Sequence, residues 1–459
     1  MPLSDTVFKQ LEQITGPTFC TRKKEECLVY SYDAAGDSHL PDAVVFPGNE
    51  DQVSQIMALA TRHRFPVIPR GSGSGMTGGA IPVMGGVVMV FNRMNRIIDI
   101  DTENMLIRVE PGVITQDIHK AVEKLGLFYP PDPASSAVCT IGGNIGECAG
   151  GPRAVKYGVT RDYVLGLRAV LPSGNIITTG VDTAKGVAGY DLTRLLTGSE
   201  GTLAVVTQVT LKLLPKPAKV KTLAVLFEDI EHAARTVSGI MNQALIPRCV
   251  EFLDEASINL VRDYFEFDVP RDIRALLIIE VDGSAQMVES DFQTVQDFCT
   301  QMGAAQMITA RTPEEAASLW KGRKALSPAL YRIANTKINE DIVVPIKHIP
   351  TMVRYLENIQ KDTGLTIVSF GHAGDGNIHC NIMYDKTDEA QTQLAKKAVD
   401  DLFRKTLALG GTITGEHGVG TTKQKYLPWE LDDTQIALMK GIKQVFDPDR
   451  ILNPGKIFL

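Results

Sequence analysis

The stretch RGSGSGMTGGA, residues 70–80, follows the apolar run FPVIP and decides how the first half of the chain is read. Gly73, Gly75 and Gly78 satisfy G-x-G-x-x-G, the spacing of a Rossmann dinucleotide loop. That loop needs a helix directly behind it, because the helix N-terminus faces the pyrophosphate. Here the chain runs on into AIPVMGGVVMVF, residues 80–91, where Pro82 and the β-branched valines specify a strand. The Rossmann reading therefore fails on context. The local chemistry survives, because consecutive glycines expose N–H groups that can form an anion-binding nest. The bland alternative is a flexible glycine turn.

Working outward, Val53, Ile56, Met57 and Ala60 recur at helical spacing just before this strand. Ile118, Ala121, Val122 and Leu125 repeat the pattern, and short β-rich pieces lie between. YVLGLRAVLPSGNIITTG, residues 163–180, reads as two strands joined by a turn. This α+β unit closes near Pro215 and Pro217. Beyond it, KTLAVLFED, a helix over about 230–242 and CVEFLD give strand, helix, strand. ALLIIEVDG, a helix over about 285–302 and AQMITA repeat that order, which suggests a ferredoxin-like duplication: an antiparallel sheet with helices on one face. The apolar tail FDPDRILNPGKIF is expected to dock back on a domain. The expected division is an N-terminal segment 1–37, a cofactor domain 38–217, a cap domain 218–421 and a C-terminal segment 422–459.

A second small-residue segment, PPDPASSAVCTIGGNIGECAGGPRAVKYG, covers residues 130–158. Its glycines are too frequent for a packed helix or strand interior. Ser135, Ser136, Thr140 and Asn144 offer short polar side chains. Two such loops in one domain suit a long ligand with a pyrophosphate in its middle.

Bulk properties narrow the partners. A formal charge of -7 leans away from nucleic acid. The N-terminal residues contain no apolar run of the length that a signal peptide or membrane span needs. The seven cysteines are scattered, with no Cys-x-x-Cys pair, which suits reduced thiols in a cytoplasm and no iron–sulfur cluster. One-electron carriers would have to sit on another protein.

SFGHAGDGNIHCN, residues 369–381, reads as a hairpin whose tight turn brings His372 and His379 to one end of two strands. GGTITGEHGVG, residues 410–420, places Glu416 and His417 on another glycine-rich turn. Two imidazoles and a carboxylate form a zinc-type donor set with an open position. Singly, each histidine is more often a surface or core residue, and glycine turns use Asp and Asn for backbone reasons. Convergence raises the odds: three of the eight histidines fall in two such turns.

The first loop, the second segment and GSEGTLAVVT (198–207) resemble the FAD-binding domain of vanillyl-alcohol-oxidase-type flavoproteins. The resemblance implies a pyrophosphate site at Pro69, Arg70, Gly71, Ser72, Gly73, Ser74, Gly75, Thr77, Gly78 and Gly79. It implies flavin and ribityl contacts along Pro131, Asp132, Ser135, Thr140, Gly142, Gly143, Asn144, Gly146, Gly150 and Gly151. Tyr157, Gly158 and Asn453 join the cofactor set, with Glu200 and Gly201 towards the adenine. Residues 69–80 and 130–158 lack histidine, so non-covalent FAD is expected.

GHxGDGNxHxN followed by GEHG resembles the C-terminal domain of FAD-linked D-2-hydroxy-acid dehydrogenases. That family includes D-lactate dehydrogenases, the flavin subunit of glycolate oxidase and D-2-hydroxyglutarate dehydrogenase. It implies His372, His379 and Glu416 as ligands of a divalent metal (zinc, or iron or manganese). It further implies His417 as base, Asn381 as a substrate contact, and Arg323 and Lys337 near the substrate carboxylate. A short D-2-hydroxy acid, D-lactate foremost, is the expected substrate. The expected acceptor is an electron-transfer flavoprotein or iron–sulfur subunit, with cytoplasmic placement or membrane association through a partner. A flavin-free metallohydrolase is the alternative from another class, and a non-catalytic nucleotide-binding module is a third.

Overall fold

A computed structural model describes residues 3–458, which form two compact units. The first comprises residues 1–150, 159–216 and 416–459, and the second residues 151–158 and 217–415.

The first unit contains a four-stranded and a five-stranded sheet, besides a short two-stranded pairing of residues 127–128 with 214–215. Strands β1 (Cys20–Thr21), β2 (Ala43–Val45), β3 (Val67–Arg70) and β4 (Val87–Val90) form one, in the order β1-β2-β4-β3. β3 and β2 both run parallel to β4, and β1 is antiparallel to β2. The second sheet contains β5 (Ile97–Asp101), β6 (Leu106–Val109), β7 (Val164–Val170), β8 (Ile176–Gly180) and β9 (Val205–Lys212), ordered β5-β6-β9-β7-β8. Three helices precede β3, one of them the short Lys24–Leu28. Helix α1 (Asp5–Thr15) is capped by Ser4, and α2 (Glu50–His63) by Asn49, whose Oδ1 accepts the Gln52 N–H at 2.9 Å. Val53, Ile56, Met57 and Ala60 are all fully buried, as their spacing implies. They share a core with Val67, Met89, Val205, Ile451 and Leu452. Burying each larger side chain contributes roughly 1.5–3 kcal/mol.

The strand after the first glycine loop is shorter than the sequence suggests. Only residues 87–90 are extended, because Gly85 and Gly86 turn the chain with φ of 68° and 85°. A Cβ on Gly86 would lie 2.3 Å from the Pro66 carbonyl oxygen, so only glycine fits.

The second glycine segment also corrects its reading. Ile141–Glu147 forms helix α4, after α3 (Thr115–Glu123), despite three glycines in seven residues. The reason is close packing: a Cβ on Gly142 would stand 2.8 Å from Pro111 Cβ. Backbone proximity there outweighs the roughly 1 kcal/mol per residue that glycine costs a helix.

The second unit is one seven-stranded sheet. Its strands are β10 (Lys219–Phe227), β11 (Cys249–Asp254), β12 (Ala275–Gly283), β13 (Gln306–Thr309), β14 (Thr336–Val343), β15 (Thr366–His372) and β16 (Asn377–Tyr384). Every pairing is antiparallel, in the order β13-β10-β12-β11-β15-β16-β14. Helix α5 (Ile230–Ile240) links β10 to β11, α6 (Glu255–Val261) follows β11, and α7 (Ala285–Gln301) links β12 to β13. The first four strands thus carry the ferredoxin-like duplication, and the β15–β16 hairpin with β14 extends it. Helix α8 (Pro313–Ala329) packs Leu326 and Ala329 against Leu253, Ile278, Val368 and Phe370 of the sheet.

Candidate active site

In the first unit the two glycine segments meet. Ser72 Oγ donates to the Val138 carbonyl at 2.5 Å, and a Cβ on Gly71 would collide with Thr140 Oγ1 at 2.4 Å. Thr140 caps α4 by accepting the Gly143 N–H. Arg70 braces the first loop from beneath: its guanidinium donates to the carbonyls of Tyr32 (2.7 Å) and Ala80 (3.3 Å). A Cβ on Gly73, whose φ is 72°, would fall 2.1 Å from that guanidinium. Arg70 shapes the loop, and the loop's backbone is what remains to meet an anion.

Several expected cofactor residues also make hydrogen bonds within the fold. Asn144 Nδ2 donates to Thr115 Oγ1 at 2.7 Å. The Glu200 carboxylate accepts the N–H groups of Val419 (2.8 Å) and Gly420 (2.7 Å), which fixes the turn after His417. Burial pushes its pKa up, against those two hydrogen bonds. Pro131 presents its carbonyl to His119 Nε2 at 2.9 Å. Asn453 Nδ2 joins the loops by donating to the carbonyls of Gly79 (2.9 Å) and Glu200 (2.8 Å). Its buried Oδ1 has no partner among the described residues, an acceptor suited to a cofactor N–H. Tyr157 belongs to the second unit, where its hydroxyl donates to Asp282 at 2.8 Å beside Lys156 Nζ at 2.6 Å.

In the second unit the hairpin brings the histidines together. His372 ends β15 and His379 lies on β16, with ring centroids 5.2 Å apart at 88°. Directly opposed residues of an antiparallel pair share a face. Asp341 of β14 lies opposite His379, Asn339 opposite Asn381, and Glu251 of β11 opposite His372. Glu251 escapes sequence reasoning, yet it is fully buried, with Oε1 2.5 Å from His372 Nδ1 and Oε2 accepting Arg323 Nε at 2.6 Å. Burial would raise its pKa, but the charges and hydrogen bonds of His372 and Arg323 hold it below the usual range.

Asn381 is committed elsewhere: its Oδ1 accepts from Asn339 at 2.6 Å and its Nδ2 donates to the Val368 carbonyl. Lys337 lies towards the far end of β14, 3.3 Å from Ser327 Oγ and over the Tyr331 ring, and burial lowers its pKa. Arg323 lies 4.7 Å from the Phe370 ring centre, and its Nη groups have no hydrogen-bond partner among the described residues.

Asp341 also fixes where Glu416 begins. Its carboxylate and carbonyl both accept the Gly415 N–H at 2.9 Å, and a Cβ on Gly415 would clash with Asn377 Nδ2 at 2.4 Å. Glu416 is bonded to Gly415, so the β14–β16 edge sets its starting point. His372 and His379 face one another at the end of the hairpin, and Glu416 is the next residue along the chain after the edge-bound Gly415. Two imidazole nitrogens and a carboxylate oxygen are donors of the kind a borderline divalent ion takes. His417 follows, its carbonyl accepting Thr77 Oγ1 at 2.9 Å.

The fold is that of the vanillyl-alcohol-oxidase type of flavoproteins. The family model described as FAD linked oxidases, C-terminal domain, matches residues 216–457, the FAD binding domain model matches 41–180, and the chain belongs to this family of FAD-linked oxidoreductases. It is 46% identical over 457 residues to the glycolate oxidase subunit GlcD of Bacillus subtilis, covering 99% of this chain and 97% of that one. It is 36% identical to the D-lactate dehydrogenase of Anaerostipes hadrus, covering 91% and 89% respectively. The structure of p-cresol methylhydroxylase with substrate bound shares the fold at TM-score 0.81 and 19% identity, covering 100% of this chain and 98% of that one. Membership sets aside the flavin-free hydrolase and the non-catalytic nucleotide-binding module. No helix among the described residues is long and apolar enough to cross a membrane.

Proposed function

We propose that the protein oxidises a short D-2-hydroxy acid, D-lactate foremost, to the 2-oxo acid, and passes the electrons to an external acceptor protein. The observation that carries the reading is the pair of facing histidines on the sheet edge, with Glu416 next in the chain after the edge-bound Gly415, within a family that uses FAD. Bound non-covalently, FAD supplies the acceptor for the hydrogen on the hydroxyl-bearing carbon, and a divalent ion, zinc by donor type, supplies Lewis-acid polarisation of the hydroxyl.

The residues divide the remaining work. His372, His379 and Glu416 hold the ion. Arg323, anchored at Nε, offers its Nη groups to the substrate carboxylate, which orients the carbon. His417 takes the hydroxyl proton on an imidazole nitrogen, the side chain that most often serves as a general base. Lys337 is a second cation for a longer acid. Asn381 shapes the wall through Asn339. Glycolate is the second reading, favoured by the name of the relative at 46% identity.

Anaerobic mixing with a panel of D- and L-2-hydroxy acids should bleach the flavin fastest with one short D-acid. A flavin that stays oxidised with the whole panel would sink the proposal. His417→Ala should slow bleaching by about 10²–10⁴-fold; near wild-type speed would remove His417 as the base. An electron-transfer flavoprotein or an iron–sulfur subunit is the proposed acceptor, since all seven cysteines are unpaired singletons.

A further inference from the structure

Strand β11 carries a carboxylate for which the scheme above has no role. Glu251 lies opposite His372, fully buried, and its two oxygens face two different groups. Oε1 meets His372 Nδ1, and Oε2 meets Arg323 Nε. A buried carboxylate is costly unless both oxygens are used, and here both are.

We propose that Glu251 is a positioning residue that sets the His372 tautomer and the Arg323 fork together. The inference rests on the reading of His372 as a metal ligand and Arg323 as the carboxylate clamp. An ionised carboxylate only accepts hydrogen bonds, so the group facing it at Nδ1 is N–H. The lone pair of His372 then lies on Nε2, the nitrogen that would meet an ion. At its other oxygen, Glu251 holds Arg323 by Nε while Phe370 stacks on the guanidinium from 4.7 Å. The fork is thereby fixed in rotation as well as in place, with its Nη groups left for a ligand. Only a carboxylate does both. In Glu251→Gln the amide NH₂ faces either Arg323 Nε–H, donor against donor, or His372, which then accepts at Nδ1 and carries its proton on Nε2.

The test uses the flavin-loaded enzyme with zinc, titrated against a chromophoric chelator, and steady-state kinetics. Glu251→Gln should bind zinc about 10–100-fold more weakly, raise KM for the hydroxy acid at least about tenfold, and keep its flavin. Glu251→Asp, one methylene shorter but still an acceptor, should recover part of the zinc affinity. A folded Glu251→Gln enzyme with wild-type zinc affinity overturns the inference. Should that variant not fold, ¹⁵N spectra of histidine-labelled, zinc-loaded wild-type enzyme decide: a proton on His372 Nδ1 supports it, and one on Nε2 overturns it. Wild-type enzyme that takes up no zinc or other divalent ion overturns the metal reading itself, a result distinct from a failure at Glu251 alone.

Discussion

Arg323 lies in the amphipathic-looking WKGRKAL of α8, and nothing local tells whether it points to solvent. Its Nε is given to Glu251, 72 residues away, and its plane lies against Phe370. Lysine keeps the charge but has neither a fork nor a flat face. Arg323→Lys should therefore raise KM about 10–100-fold, the worth of one charge-assisted pair, with a smaller change in kcat. An unchanged KM in steady-state assays would remove Arg323 as the clamp. Residues whose chemistry is local were legible: the glycines of 70–80 and the two histidines flanking a Gly-Asp-Gly-Asn turn. Glu251 was not. It sits between apolar residues of its strand, and its histidine partner lies 121 residues further on. Alternation alone would turn it to solvent, and only the assembled fold shows the two N–H groups it serves, on His372 and Arg323.

Elements were legible where one periodicity acted without competition. The β15–β16 hairpin and the ferredoxin-like repeat follow from alternation and turn residues. Helix α4 was not, because its glycines argue against a helix until Pro111 is seen pressing on Gly142. Gly142→Ala should accordingly lower stability by about 1–3 kcal/mol, although alanine is the better helix former, and flavin should be lost with it. A rise in thermal midpoint would refute this account of α4. Between elements, Asp254 caps α6 through Ser257 N–H and ties β15 through Ser369 N–H, both at 2.7 Å. Burial pushes its pKa up to about 6 from 3.8, with the hydrogen bonds pulling the other way. Between those values the folded chain holds a proton that the unfolded chain has released. The contribution of Asp254 is therefore fully present below pH 3.8 and is lost as pH rises through 6, a change of about 3 kcal/mol. Wild-type stability relative to Asp254→Asn should fall by about that amount across this window, with other carboxylates cancelling in the difference. A flat difference in denaturant titrations would show that Asp254 ionises normally.

At the scale of the molecule the chain is threaded so that the first unit closes late. It needs residues 416–459, delivered only after the sheet of the second unit is complete. Within the first unit this last stretch is structural. Ile451 and Leu452 sit in the core, and Leu452 forms a parallel bridge with Val67. Val67 N–H donates to the Ile451 carbonyl and Asn453 N–H to the Val67 carbonyl, each at 2.8 Å. Asn453 then spans the carbonyls of Gly79 and Glu200, and Lys456 Nζ donates to the Ile81 carbonyl at 2.5 Å. Burial lowers Lys456 to a pKa of about 8, opposed by Asp33, Glu200 and Glu147, so it stays charged at neutral pH. The sequence showed the tail as too apolar to float free, but its partners lie about 370 residues upstream, beyond any local pattern. A chain ending at Phe446 keeps every residue of both glycine segments yet loses the strand edge and the amide that joins them. Such a chain should purify with little or no flavin. Its residues 217–415 should remain protected in limited proteolysis, because their sheet hydrogen bonds lie within the second unit. Leu452→Ala provides the graded version, expected to cost about 2–5 kcal/mol of stability through a buried cavity and to weaken flavin retention in proportion. If the truncated chain retained one flavin per chain, the tail would be packing on the first unit without shaping its cofactor cradle.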